Sequence, residues 1–387
     1  MNKKIAINIL LLLAVLVSVI LTCHAYPFRL DKVFLYGFIA LFALSLLVQY
    51  TLLRRKNYGF YLFRVILVFF IIFQVYGIIE SRKEVRSLPA PGTVYVIGAE
   101  YNGIGGFNER NISTKFTKLF GQDTVYSVNY TLDSVGRRID ENTFDTAAKA
   151  RHAIFLGCSF TFGEGVDNNS TFPAIFERKN PQYKSYNYGI SGTGPSHSVL
   201  FFDKKVNTIN KETVKESDGF ALYTFINDHL NRVYGSGAYI TYAQLNSPNV
   251  FVDGDSLTVT CFPRMHFRKG KLYNYVYLLK KAGLRFEYPR TEDFYKRFAG
   301  IINCTARKYR DFNPNGKFFV AIYPYSSYRN KDLNWLKYLS PDITVIQAPL
   351  PNDVSGHRIE NDGHPTGKAN EYFIEQIEDQ LISDTIS

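Results

Sequence analysis

Cysteine, methionine and tryptophan are scarce in this chain of 387 residues, with four, two and one copies. No two Cys or His residues stand at the spacing that structural zinc sites use, so no metal is expected, and no cofactor is called for. No internal repeat and no long low-complexity tract occurs, which sets aside repeat architectures. Basic residues outnumber acidic ones by 45 to 34, for a formal charge of +11, yet no basic block or stripe of the kind a nucleic-acid face needs accompanies the excess. Nucleic acid is therefore not an expected partner. An anionic membrane surface or an acidic glycan accounts for the charge more simply.

Phe and Tyr are abundant, 32 and 28 residues, and the N-terminal region is dense in apolar side chains. Segments 5–21, 33–53 and 60–79 are apolar runs of 17, 21 and 20 residues, each able to span a hydrocarbon core of about 30 Å. They predict three transmembrane helices within residues 1–81. Lys3 and Lys4 before the first run and Cys23-His24-Ala25 after it permit a signal-peptide reading, and Leu21-Thr22-Cys23 permits a lipobox-like one. Two more runs follow at once, which favours a retained helix. Arg64 lies near the start of the third run, where it can snorkel to the interface. Lys3, Lys4 and the Arg54-Arg55-Lys56 loop place their segments in the cytoplasm and leave everything after Ile79 outside. Arg29, Lys32, Arg82, Lys83 and Arg86 reduce that asymmetry.

Chemistry gathers in two short motifs about two hundred residues apart. Ala153-Ile154-Phe155-Leu156 reads as a buried parallel-type strand, and Gly157-Cys158-Ser159 follows it, which delivers Ser159 to the strand's C-terminal edge. Near the C-terminus stands Asp362-Gly363-His364-Pro365. A serine hydroxyl becomes a good nucleophile when an imidazole takes its proton and a carboxylate fixes the imidazole's tautomer. Ser159, His364 and Asp362 are the candidates for those three roles. Asn187 to Gly194 is a second Gly-rich loop, and Ala221 to Ile226 is a third strand that ends in Asn227-Asp228-His229. Cys158 would point to the opposite strand face from Ser159, as a buried small residue. His229 and Arg232 sit either at the cleft rim or simply at the strand's end; His152, His197, His266 and His357 have no partner visible in the sequence.

These blocks, in this order, resemble the SGNH or GDSL-like hydrolases over about residues 150–387. The resemblance implies Ser159 as nucleophile and an oxyanion hole made of the Ser159 and Gly192 amides and the Asn227 side chain. Two positions depart from the family pattern: Phe225 stands where a glycine precedes the asparagine, and Asp362-Gly363-His364 is one residue shorter than the usual Asp-x-x-His, with Asn361 in the acid's place. The shorter spacing is similar to that of the branch that acetylates or deacetylates bacterial surface polysaccharides. The resemblance implies a serine esterase or O-acyltransferase with a carbohydrate or acyl-ester substrate and envelope-polymer assembly proteins as partners; the apolar runs and their flanking charges add the lipid bilayer as a partner and a bacterial inner-membrane, multi-pass protein with a periplasmic or otherwise extracytoplasmic catalytic domain. The alternative is a non-catalytic glycan-binding or assembly subunit that retains the fold.

The expected class is α/β, a doubly wound and mostly parallel sheet behind the membrane helices. Segment 82–150 connects the two regions. Within it, Gly103 to Phe107 reads as loop, Ser127 to Thr131 as an edge strand, and Asp133 to Arg138 as an element similar to one that precedes the nucleophile strand in exported members of the family. Helices are expected from Ser170 through Arg178, Ser196 through Val206, Leu272 to Lys281, Phe294 to Tyr309, between Lys331 and Tyr338, and from Thr366 to Leu381. Strands are expected at Phe318–Tyr323 and Ile343–Ile346, with a strand-prone insertion over about residues 235–263. Cys261 and Cys304 fall in the exported region, where an oxidising compartment would permit them to pair.

Overall fold

The computed structural model describes residues 39, 41–43, 64–72, 74–75, 85–89, 97–101, 104–120, 122–140, 151–203, 208–209, 218–236, 247–254, 256–261, 288–324 and 332–386. The chain divides into two compact units, residues 1–84 with 267–286, and residues 85–266 with 287–387. In the first unit, residues 64–72 are helical; Leu67 is buried, while Val65, Ile66, Val68, Phe69 and Ile72 are exposed. Among the described residues no helix is long and apolar enough to cross a membrane. The span expected at 5–21 lies outside the described residues, as do most of 33–53 and the ends of 60–79, and so does the helix expected at Leu272 to Lys281.

The strands of the second unit, in chain order, are β1 (Val85–Pro89), β2 (Ile97–Tyr101), β3 (Ile104–Asn108), β4 (Ile112–Phe120), β5 (Asp123–Leu132), β6 (Arg151–Gly157), β7 (Tyr183–Gly189), β8 (Asp218–Phe225), β9 (Pro248–Asp253), β10 (Ser256–Cys261), β11 (Lys317–Ile322) and β12 (Ile343–Gln347). Its helices are α1 (Ser159–Phe162), α2 (Phe172–Lys179), α3 (Pro195–Ser198), α4 (Asp228–Tyr234), α5 (Glu292–Phe312) and α6 (Gly367–Ile386).

Five strands form one sheet in the order β12-β11-β8-β6-β7, and every pairing in it is parallel. Taken from β7, the chain order across the sheet is second, first, third, fourth, fifth, so the direction of winding reverses between β6 and β8. In such sheets the crevice at the reversal, beyond the strands' C-terminal ends, is where ligands bind. The strands are apolar because both faces are covered: on β6 all residues after Arg151 are buried, and on β8 all after Asp218. One face carries Phe172, Phe176, Phe373 and Ile377 from α2 and α6. The other carries Leu230 from α4 and Phe298, Ile301 and Ile302 from α5, with Trp335 buried among them.

Local chemistry sets the boundaries. The side chain of Thr171, one residue beyond the expected Ser170, accepts the Ala174 N–H and starts α2, with Pro173 in its first turn where no N–H is needed. The helix expected from Ser196 is only the four residues of α3, continued as a 3-10 turn over Val199–Phe202. The stretch between Lys331 and Tyr338 is likewise a 3-10 turn, Asn334–Tyr338. The insertion is an antiparallel hairpin of β9 and β10. Cys304 is buried on α5; the side chain of Cys261 lies outside the described residues.

Gly103 to Phe107, expected as loop, is mostly strand: β3 pairs antiparallel with β2 across two register shifts. Its glycines suggested a loop because they lack side chains to pack, but Phe107 anchors the strand in the core against His197 and Phe201. Buried Asn108 then donates to the carbonyls of Gly136 and Gly189, both at 3.0 Å, which pins this segment to the end of β7. The second sheet, β1-β4-β5, is antiparallel. Arg138 bridges from Leu132 at the end of β5 to Asn187 on β7, so the Asp133 to Arg138 element runs along the edge of the parallel sheet.

Candidate active site

β6 ends at Gly157, Cys158 remains extended, and Ser159 is the first residue of the four-residue α1. The tight strand-to-helix turn requires close packing from below: a Cβ on Gly189 would lie 2.1 Å from the Phe162 nitrogen, so only glycine fits there. Cys158 is turned into the core, 1 % exposed, among the α2 and α6 side chains. Ser159 instead presents its Oγ to His364 Nε2 at 2.9 Å.

His364 reaches that position on a tight loop closed by an Arg358–Pro365 bridge and by the Ile359 carbonyl, which accepts the Asp362 and Gly363 N–H groups. Gly363 has φ +92°, and this left-handed residue folds Asp362 back onto the imidazole. Asp362 Oδ1 meets His364 Nδ1 at 2.5 Å and also accepts the His364 backbone N–H at 2.9 Å. Asn361, in the family's usual acid position, is exposed and left-handed at φ +57°. The next acids in line, Asp353 and Glu360, are exposed, and Asp353 is engaged by the Ser355 N–H.

The electrostatics follow from this geometry. Burial alone would raise the Asp362 pKa, but the hydrogen bond and charge of His364, the hydrogen bond from Lys118 and the His364 N–H outweigh it, and the carboxyl is held well below the usual carboxylate range. Burial lowers His364, whereas the charge of Glu164 and the hydrogen bond and charge of Asp362 raise it; the net displacement is upward. An ionised Asp362 at Nδ1 selects the tautomer whose Nε2 lone pair faces the serine hydroxyl.

β7, β6 and β8 run side by side in register, with Gly157 opposite Gly189 and Leu156 opposite Tyr223, so the loops of Ser159, Gly192 and Asn227 leave the same sheet edge. The Gly192 loop is tied to the nucleophile strand through the Ile190 N–H and the Thr193 hydroxyl, both reaching the Gly157 carbonyl at 3.4 Å. The Asn227 side-chain oxygen accepts the Asp332 N–H at 2.9 Å, which assigns its NH2 group as the end left to donate. Phe225, in place of the family glycine, is fully buried against Trp335 and Phe298, away from the cleft.

His229 and Arg232 are not at a rim. His229 is fully buried with Nδ1 2.6 Å from the Tyr223 hydroxyl, and burial together with the Arg232 charge holds its pKa well below the ordinary value. Arg232, 8 % exposed, donates to the Thr193 carbonyl at 2.5 Å and so braces the Gly192 loop. His152 is a core residue bonded to Tyr309 and Asn313.

Three further residues bring charge to or near the site, and of these only Arg138 lies in an element that the sequence singled out. Lys118 on β4 forms an ion pair with Asp362 Oδ2. Glu164, just after α1, places its carboxylate 3.6 Å from His364 Nε2. Arg138, 3 % exposed, donates to the carbonyls of Phe162, Gly163, Val166 and Asn129 and so fastens the end of α1 to β5. Glu164, Asp362 and His364 bring one donor atom each within 4.8 Å of one another, the spacing of a metal site. In this structure both His364 nitrogens and both Asp362 oxygens are engaged by Ser159, Lys118 and each other.

No protein-family model matches the chain, and no curated protein matches it significantly. Solved structures do. It is similar to an acetyl xylan esterase from the rumen bacterium Butyrivibrio proteoclasticus, at 12 % identity and a TM-score of 0.37, over 62 % of this chain and 66 % of the esterase, just under two thirds of its length. A lipolytic protein of the G-D-S-L family from Desulfitobacterium hafniense is similar at 13 % identity and a TM-score of 0.32, over 59 % of this chain and 98 % of that one. A salicylyl-acyltransferase from a tetracycline biosynthetic pathway is similar at 12 % identity and a TM-score of 0.34, over 78 % of each chain.

Proposed function

We propose that this chain is an SGNH-type serine esterase or O-acyltransferase that works through an acyl-enzyme on Ser159. The observation that carries the reading is the continuous hydrogen-bonded line from Ser159 Oγ through His364 to Asp362, set at the sheet's topological switch point. In the first step His364 Nε2 takes the Ser159 proton as Oγ attacks the ester carbonyl, and Asp362 stabilises the imidazolium that forms. The carbonyl oxygen becomes an oxyanion facing the Ser159 and Gly192 amides and the Asn227 side chain, donors that can each lower the barrier by a few kcal/mol in a dry site. His364 then returns the proton to the leaving oxygen. Water or a sugar hydroxyl, deprotonated by the same ring, attacks the acyl-enzyme, and the choice between them separates hydrolysis from transfer.

The substrate class proposed is an O-acyl, most simply O-acetyl, group on an envelope glycan, reached from the outer side of the cytoplasmic membrane. Support for tethering comes from the three apolar runs and from the exposed Val65, Ile66, Val68, Phe69 and Ile72 on the described helical stretch, a surface better matched to lipid than to water. Of the two departures that favour a non-catalytic subunit, Phe225 fills the core and the shortened Asp-x-His closes through Gly363, so neither obstructs the serine. Incubation of the full chain with an activated phosphonate should give a mass adduct on Ser159. A chain left unmodified under conditions that label a known serine esterase would overturn the proposal.

A further inference from the structure

A carboxylate on each side of a catalytic imidazole is a hazard as well as a help. Asp362 faces Nδ1 at 2.5 Å and Glu164 faces Nε2 at 3.6 Å. Two negative charges so placed favour the imidazolium, and a protonated ring cannot accept the proton of Ser159. The ring therefore needs a counterweight. Lys118 provides one: it reaches from β4 to the second oxygen of Asp362, whose side chain is fully buried, while its own is 16 % exposed.

Resting on the serine-enzyme reading, we propose that Lys118 and Glu164 are an opposed pair of positioning residues that set the pH at which His364 becomes a competent base. Lys118 holds Asp362 by Oδ2 so that Oδ1 remains on the imidazole, and its charge offsets one of the two carboxylates. Glu164 works from the serine side. It is anchored at the end of α1, where its N–H donates to the Ser159 carbonyl at 2.9 Å, and it favours the charged ring that forms during the reaction. The displacements of His364 agree in sign, upward by Glu164 and downward by Lys118.

The other groups around the ring do not supply this balance. Phe160, edge-on to the imidazole, is uncharged. From β5, the phenols of Tyr126 and Tyr130 are pushed upward, chiefly by burial, and remain neutral through the working range. Arg138, a cation on the same side of the site, is committed to backbone carbonyls and stacks over Tyr130. Lys118 and Glu164 belong to parts of the chain that the triad does not need for chemistry, one to an antiparallel strand and one to the turn behind the nucleophile.

The test is the rate of Ser159 modification by an activated fluorophosphonate as a function of pH, on the full chain, since this rate rises as the base loses its proton. Lys118→Met should move the rise to higher pH by about one unit, and Glu164→Gln should move it to lower pH by a similar amount. Lys118→Arg, which keeps the charge, should restore the original position, and the double variant K118M/E164Q should fall near it. Thermal melts of each variant separate a loss of fold from a shift of the profile. A profile that stays in place in either folded single variant, or that moves in the same direction in both, overturns the proposal. Absence of Ser159 labelling at every pH in the unmodified chain would instead overturn the serine-enzyme reading, and this inference with it.

Discussion

The parallel and antiparallel sheets of the second unit contribute to the site in different currencies. The central strands of the parallel sheet are buried on both faces and release the loops of Ser159, Gly192 and Asn227 at one edge, where His364 reaches Ser159. The antiparallel sheet is covered on one side only: along β5, Tyr126, Val128 and Tyr130 are buried at alternate positions, and they pack with Phe162 of α1. It supplies no reacting atom. It supplies charge and support, through Lys118 on Asp362 and through Arg138, which follows β5 and grips the end of α1. Substitutions in the first sheet's loops should therefore abolish chemistry, and substitutions at the second should shift its conditions or weaken the fold.

The largest effect expected is at the nucleophile and base. Ser159→Ala or His364→Ala should each remove nearly all activity toward a small acetyl ester, and the double variant should be little worse, because the two act as one unit. Near-normal turnover in either variant would break the comparison at its root.

Next comes the acid. Asp362→Asn leaves the loop geometry available but removes the charge that stabilises an imidazolium and selects its tautomer, and a kcat loss on the order of 1,000- to 10,000-fold is expected with KM little changed. Asn361→Ala, at the usual acid position, should stay within a few-fold because the residue is exposed and holds no part of the relay. Reversal of that order would move the acid to Asn361's neighbourhood and remove Lys118's purpose.

How legible all this was in the sequence depended on which sheet a residue belonged to. Strands β6, β8 and β11 were readable because burial on both faces leaves short, continuous apolar runs, the half-buried edge strand β12 was readable from its β-branched residues, and a Gly-rich turn after a buried run announces a functional edge. Asp362 and His364 were named from their motif, and the left-handed Gly363 between them is what folds the acid back on the histidine. Lys118 and Glu164 were not readable. A lysine at an intermediate position of an amphipathic strand looks like any solvated lysine until a loop more than two hundred residues later lays a carboxylate beside it. His229 and Arg232 stayed open between cleft rim and strand end for a related reason: side chains of types that normally mark a surface are here buried, with Arg232 bonded to the Thr193 carbonyl. The glycines of β3 hid a strand whose stability comes from Phe107 and Asn108 rather than from its own propensity.

Support from the antiparallel side should show as stability. Arg138→Lys keeps a charge but loses the planar fork that serves four backbone carbonyls at once, which leaves buried acceptors unpaired. A cost of about 3 kcal/mol is expected, read as a fall of roughly 6–12 °C in Tm. An unchanged melting temperature would mean that the two sheets are joined elsewhere.

The smallest effect, and the one that sharpens the comparison most, concerns Asn227. Its carbonyl oxygen is held by the Asp332 N–H, so the side chain is oriented before any substrate arrives, which is the condition under which a hydrogen-bond donor serves a developing charge without reorganising. Asn227→Ala should lower kcat by roughly 100-fold, equivalent to about 2.7 kcal/mol of transition-state stabilisation, and leave KM nearly unchanged. Asn227→Asp, close in shape but carrying negative charge where the oxyanion forms, should be worse than alanine if the residue faces that oxygen. If the aspartate variant outperforms alanine, or if only KM moves, Asn227 holds the substrate instead, and the oxyanion is left to the amides of Ser159 and Gly192.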